Sequence, residues 1–117
     1  PLMAVLRQAM TQYPRESLDR RFDPATYPDH AMKFLLPGLV RVRPLDEWRV
    51  TNKCGQAYGF STDNALVTHL PTGHAAAVTA TIYTNSNGVV GVPPYEYEEE
   101  AMPYFAALGE AVARALV

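Results

Sequence analysis

The stretch 47–53 constrains this chain most, because its side chains change character at every step. Trp48, Val50 and Asn52 fall on one side, and Arg49, Thr51 and Lys53 on the other. A period of two marks a half-buried β-strand, since successive side chains leave a pleated backbone on opposite faces. One strand cannot bury its apolar side alone, so the following sequence must supply neighbours. Residues 65–70 and 75–84 are two further apolar or β-branched runs. Pro71-Thr72-Gly73 between them is a turn short enough to join antiparallel strands. Residues 75–84, small and β-branched, read as a central strand buried on both faces. Residues 39–42 read as a shorter β run. Asn85-Ser86-Asn87-Gly88 ends the sheet with strong turn chemistry.

Helical spacing brackets this sheet. Leu2, Val5, Leu6 and Met10 recur at helical intervals, and Pro14 closes that pattern. Residues 13–38 carry Pro14, Pro24, Pro28 and Pro37 together with Tyr13, Phe22, Tyr27 and Phe34. The prolines predict irregular backbone with one short helix over 28–36, and the aromatics predict that it is ordered. Near the C-terminus Pro103 suits a first helical position, and Phe105, Leu108, Val112 and Leu116 form one apolar stripe. Glu98, Glu99 and Glu100 near the start and Arg114 near the end match the helix dipole. The expected fold is α+β, as one domain or part of one: a helix and irregular segment over 1–38, an antiparallel three-stranded sheet over 39–84, and a helix over 98–117.

Composition narrows the function. The chain has 117 residues and a formal net charge of −2, which argues against a nucleic-acid surface. Arg15, Arg20 and Arg21 are interrupted by Asp19 and Asp23 and read as a solvated face. Cys54 is the one cysteine, so no intrachain disulfide forms. No apolar run approaches the roughly 20 residues of a membrane span, and no signal peptide is visible. The chain opens Pro1-Leu2-Met3-Ala4 without an initiator methionine, so a longer parent chain is expected.

Candidate chemistry is sparse. His30, His69 and His74 lack the spacing and companion ligands of a zinc site, and no metal or cofactor is expected. Tyr83, Tyr95, Tyr97, Tyr104 and Phe105 read as core and helix packing. The acidic run 96–100 reads as a helix-start charge pattern. Ser61-Thr62-Asp63-Asn64 reads as a turn. Cys54 reads as a small buried hydrophobe rather than a nucleophile. Lys53 has a plain reading as a lysine that guards a sheet edge.

Lys53-Cys54-Gly55 is a Lys-x-Gly at the end of a strand, ahead of a hairpin and a C-terminal helix. The wider string Asn52-Lys53-x-Gly55-x-Ala57-Tyr58-Gly59-Phe60-x-x-Asp63 is continued by Ile82-Tyr83-x-Asn85-x-x-Gly88 and by Tyr95-x-Tyr97-Glu98. With Tyr27-Pro28-Asp29-His30 and Lys33-Phe34-Leu35 upstream, it resembles the C-terminal portion of β-lactamase-like serine hydrolases, relatives of the penicillin-binding proteins, over about residues 10–116. The resemblance implies a strand that walls a substrate cleft. Lys53 would supply positive charge to an acyl substrate. Gly55 would let it approach the backbone, and the Gln56 N–H would donate to the developing oxyanion. Cys54 stands where the family carries a hydroxyl that binds the substrate carboxylate, which weakens the case for β-lactams.

No Ser-x-x-Lys nucleophile is present: Ser17, Ser61 and Ser86 are followed at +3 by Arg20, Asn64 and Val89. The chain is therefore expected to be inactive alone, its chemistry belonging to a full-length enzyme, bacterial and periplasmic or extracellular by resemblance. In that fold strand 75–84 takes a further neighbour from upstream. Without it an exposed edge invites a homodimer or strand exchange. The rival expectation is a small non-catalytic α+β binding or sensor module.

Overall fold

The computed structural model describes residues 1–19, 21 and 23–117, so Arg20 of the basic cluster and Phe22 of the aromatic set lie outside the described residues. The architecture is α+β: one three-stranded antiparallel sheet with an N-terminal and a C-terminal helix. Helix α1 spans Leu2–Thr11, a 3-10 turn spans Asp29–Met32, and a single helical turn, α2, spans Leu36–Leu39. The strands are β1 (Trp48–Ala57), β2 (Phe60–His69) and β3 (Ala75–Tyr83), in the order β1-β2-β3. A π-helical turn, Tyr97–Ala101, leads into α3 (Met102–Leu116).

The alternation of β1 is real. Trp48, Val50 and Asn52 are buried, while Arg49 and Lys53 are exposed. Val67 and Ala65 of β2 and Ala80 of β3 continue the buried face. Leu35, Leu36 and Leu39 lie over it, together with Phe105, Ala113 and Leu116 of α3. Two glycines let the covering layer close up. A Cβ on Gly38 would meet Ala106 O at 1.9 Å, and one on Gly109 would meet Leu35 O at 2.1 Å. The α2 segment and α3 therefore touch backbone to backbone, which only glycine permits. The β2–β3 turn holds the far end of α3, where Thr72 Oγ1 and His74 Nδ1 both hydrogen-bond to Leu116 O and occupy a helix-terminal carbonyl.

Several expectations need correction. Residues 39–42 are not a β run. Val40 N–H donates to Leu36 O, and Val42 and Arg43 N–H donate to Leu39 O, so tertiary packing of Gly38 against α3 selects a helical turn. The helix expected over 28–36 is the 3-10 turn at Asp29–Met32, followed by α2. Residues 61–64 are not a turn but the first half of β2. The reversal is made by Tyr58 and Gly59, whose φ values of 54° and 90° are those of a type I′ hairpin. Ser, Asp and Asn favour turns because they hydrogen-bond locally; here Asp63 spends its carboxylate on Phe34 and Asn52 instead. Strand β3 is an outer strand, not a central one, and only Ala80 in it is fully buried. Pro103 is the second residue of α3, not the first. The first helix forms where its spacing placed it, and its apolar stripe faces outward, with Leu2 70% and Val5 62% exposed. In the aromatic set only Phe105 is core, since Tyr83 and Tyr104 are exposed.

Candidate site at the open edge of the first strand

Because β2 takes one side of β1, the other side is a sheet edge. Its upper half is covered. Thr11 of α1 hydrogen-bonds Thr51 through their hydroxyls at 2.7 Å. Lys33 Nζ donates to Val50 O at 2.9 Å, to Asn52 Oδ1 at 2.9 Å and to Met10 O at 3.1 Å. The lower half, Lys53 to Ala57, is more open: Lys53, Gly55, Gln56 and Ala57 are exposed and Cys54 is half-buried.

Register decides which backbone groups this edge presents. A two-residue hairpin is closed by a hydrogen-bonded pair, here Ala57 with Phe60, and pairs then alternate along the ladder. Gly55, Lys53 and Thr51 therefore bond to β2. Gln56, Cys54, Asn52 and Val50 direct their N–H and C=O groups outward. Two observations fit this parity: Lys33 donates to Val50 O, and Lys53 Nζ donates to Cys54 O. The Gln56 N–H thus points into the open edge, as does the Cys54 carbonyl.

The four residues singled out in the sequence play different parts. Lys53 lies on the outer face, its ammonium curled to the edge beside Cys54 O. Among the described residues Gly55 meets nothing: a Cβ there would have no neighbour within 4 Å. Neither packing nor a positive φ requires glycine at this point of a strand. Glycine weakens a strand and marks places where something else comes close. The Gln56 side chain turns to the core face and donates to Ser61 Oγ at 3.0 Å. Cys54 points to the same core face, away from Lys53 and toward Asp63. Burial pushes its thiol up, and Asp63 adds to that, so it is a protonated, weak nucleophile.

Beneath the edge lies a buried polar network that sequence reasoning did not assign. Asp63 accepts from Phe34 N–H at 3.0 Å and from Asn52 Nδ2 at 2.8 Å, while Asn52 also donates to Met32 O. Burial raises the Asp63 carboxyl above its ordinary value, opposed by these hydrogen bonds and by Lys33. Burial lowers the Lys33 ammonium, opposed first by Asp63. Lys33 also sits 5.5 Å from the Tyr13 ring centroid, within cation–π range. The network clamps the 32–35 segment to β1 and β2 and so sets where the strand edge lies. Lys33, Asn52 and Asp63 all belong to the string that carries the family resemblance. A buried charge is tolerated only with partners, and that was the available clue.

The remaining candidates are not brought together. His69 is buried between Glu47 (3.0 Å) and Thr72 (2.8 Å), and His74 caps α3. His30 is exposed on the 3-10 turn. Among the described residues no group of three His, Cys, Asp or Glu side chains could hold a metal ion. No described helix is long and apolar enough to cross a membrane. Compared with protein-family models, curated proteins and solved structures, the chain matches none of them.

Proposed function

We propose that this chain is the C-terminal, substrate-binding part of a β-lactamase-like serine hydrolase, whose nucleophile lies elsewhere in the full-length enzyme. The observation that carries the reading is the open half-edge of β1, where an outward Gln56 N–H, an unfilled Gly55 and the Lys53 ammonium stand within four residues. An acyl substrate laid along this edge would hydrogen-bond to the backbone as an added strand does. Its carbonyl oxygen takes the Gln56 N–H. Gly55 leaves room for the group beside it, and Lys53 provides positive charge. Removing one such oxyanion donor costs about 3 kcal/mol, a hundredfold or more in rate. Cys54 turns its thiol to the core and offers no hydroxyl to a substrate carboxylate. The reading therefore favours a plain ester or amide over a carboxylate-bearing β-lactam.

The test starts with the coding sequence upstream of Pro1, which should contain Ser-x-x-Lys. The full-length protein should hydrolyse p-nitrophenyl acetate faster than nitrocefin. Lys53→Ala should lower kcat/KM by about a hundredfold, an electrostatic loss of roughly 3 kcal/mol. An upstream region without Ser-x-x-Lys, or activity indifferent to Lys53→Ala, would sink the proposal.

A further inference from the structure

Around the corner from that edge, on the core side of the sheet, residues 26–41 and the start of α3 enclose a cleft of about 540 Å³. That volume lies in the range of small-molecule sites, roughly 300–1,000 Å³. Its floor is apolar, made by Phe34, Pro37, Met102 and Ala106. Its polar groups come from separate walls: His30 and Arg41 from the 26–41 segment, Glu98 from the π-helical turn, and Gln56 from β1. The floor is fixed. Gly38 and Gly109 lock the two sides backbone to backbone, and Phe34 N–H is held by Asp63. A cleft over a fixed floor loses less entropy on binding.

The polar groups select the ligand. Arg41 already shares its charge with Glu110 at 3.6 Å. With that charge shared, a carbonyl suits Arg41 better than a carboxylate, while the Glu98 carboxylate calls for an N–H donor. A neutral group with a carbonyl for the Arg41 and His30 wall and an N–H for Glu98 satisfies both, and a flat apolar body suits the floor. We infer that this cleft binds a neutral aromatic amide. The site shares Gln56 with the hydrolase reading but needs neither Lys53 nor a serine.

The experiment is a titration of the isotope-labelled chain with phenylacetamide, followed by amide NMR shifts. Saturable shifts should be confined to residues 26–41, 56 and 98–106. Phenylacetate and phenethylammonium should bind at least about threefold more weakly, the loss of a fraction of one hydrogen bond. Ala31→Trp, placed on the cleft lining, should weaken binding about tenfold with the melting temperature retained, and Arg41→Ala about threefold. Val5→Glu on the exposed face of α1 should change nothing. Shifts mapping elsewhere, a charged analogue binding as well as the amide, or affinity untouched by both cleft variants would each overturn the inference.

Discussion

Lys33 and Asp63 are the residues on which the position of the strand edge depends. Each is fully buried, and each is held by neighbours from other elements. Removing one member of such a set leaves the others without partners, which costs more than the pair contributes. Lys33→Met and Asp63→Ala should each destabilise the chain by about 3 kcal/mol, read from urea midpoints. The Asp63 carboxyl titrates above its ordinary value of 3.8 because it is buried. A raised carboxyl adds stability that is complete below that ordinary value and is lost as pH rises through the folded-state value. The stability of the chain relative to Asp63→Asn should therefore decline as pH is raised from about 3, and an advantage that grows with pH would contradict this. Cys54 gives a separate check. With its thiol raised by burial, it should react with iodoacetamide at pH 8 about tenfold more slowly than in the urea-unfolded chain, measured by mass spectrometry.

Elements here are set by glycines as much as by apolar runs. Gly38→Ala or Gly109→Ala would drive a methyl into backbone atoms of the facing segment. Neither neighbour is a flexible side-chain end, so each change should cost about 3 kcal/mol or more, or prevent folding, as seen by circular dichroism melts. Gly55 is the opposite case. Its Cβ direction is empty among the described residues, so Gly55→Ala should stabilise the chain by about 0.5–1 kcal/mol, read from urea midpoints. The β1–β2 turn carries its own strain. Tyr58 holds a φ of 54°, a region where a tyrosine is disfavoured and asparagine is tolerated.

At the scale of the whole molecule the outer edge of β3 matters most. The parity that points Gln56 outward on β1 leaves Ala75, Ala77, Thr79, Thr81 and Tyr83 presenting N–H and C=O to solvent on the far side. Thr84 N–H donates inward to Gly59 O, as that parity requires. The strand carries no charge, no proline and no bulge, the usual devices against edge pairing. The isolated chain should self-associate in a concentration-dependent way in sedimentation velocity. Thr79→Pro removes an outward N–H without touching the ladder to β2, and should yield a folded monomer. Val78→Pro removes an inward one and should unfold the sheet. Self-association that persists in the folded Thr79→Pro variant would place the contact elsewhere, such as the exposed apolar face of α1.

The elements whose side chains alternate or recur strongly were legible from sequence alone: α1, the start of β1, the β2–β3 hairpin and α3. Those patterns are local and need no knowledge of neighbours. Where the chain had two local options, distant residues chose. Residues 39–42, with two valines, read as a short β run yet turn helically, because Gly38 allows the backbone to press on α3. Residues 61–64 have turn chemistry yet form β2, because Asp63 finds its hydrogen bonds in Phe34 and Asn52. Lys53, Cys54, Gly55 and Gln56 were named by motif, but only the register of a two-residue hairpin turned the Gln56 N–H outward and the Cys54 thiol inward. Sequence periodicity gives each side chain a face. Which neighbour lies over that face, and which backbone groups remain unpaired at an edge, belongs to the tertiary structure.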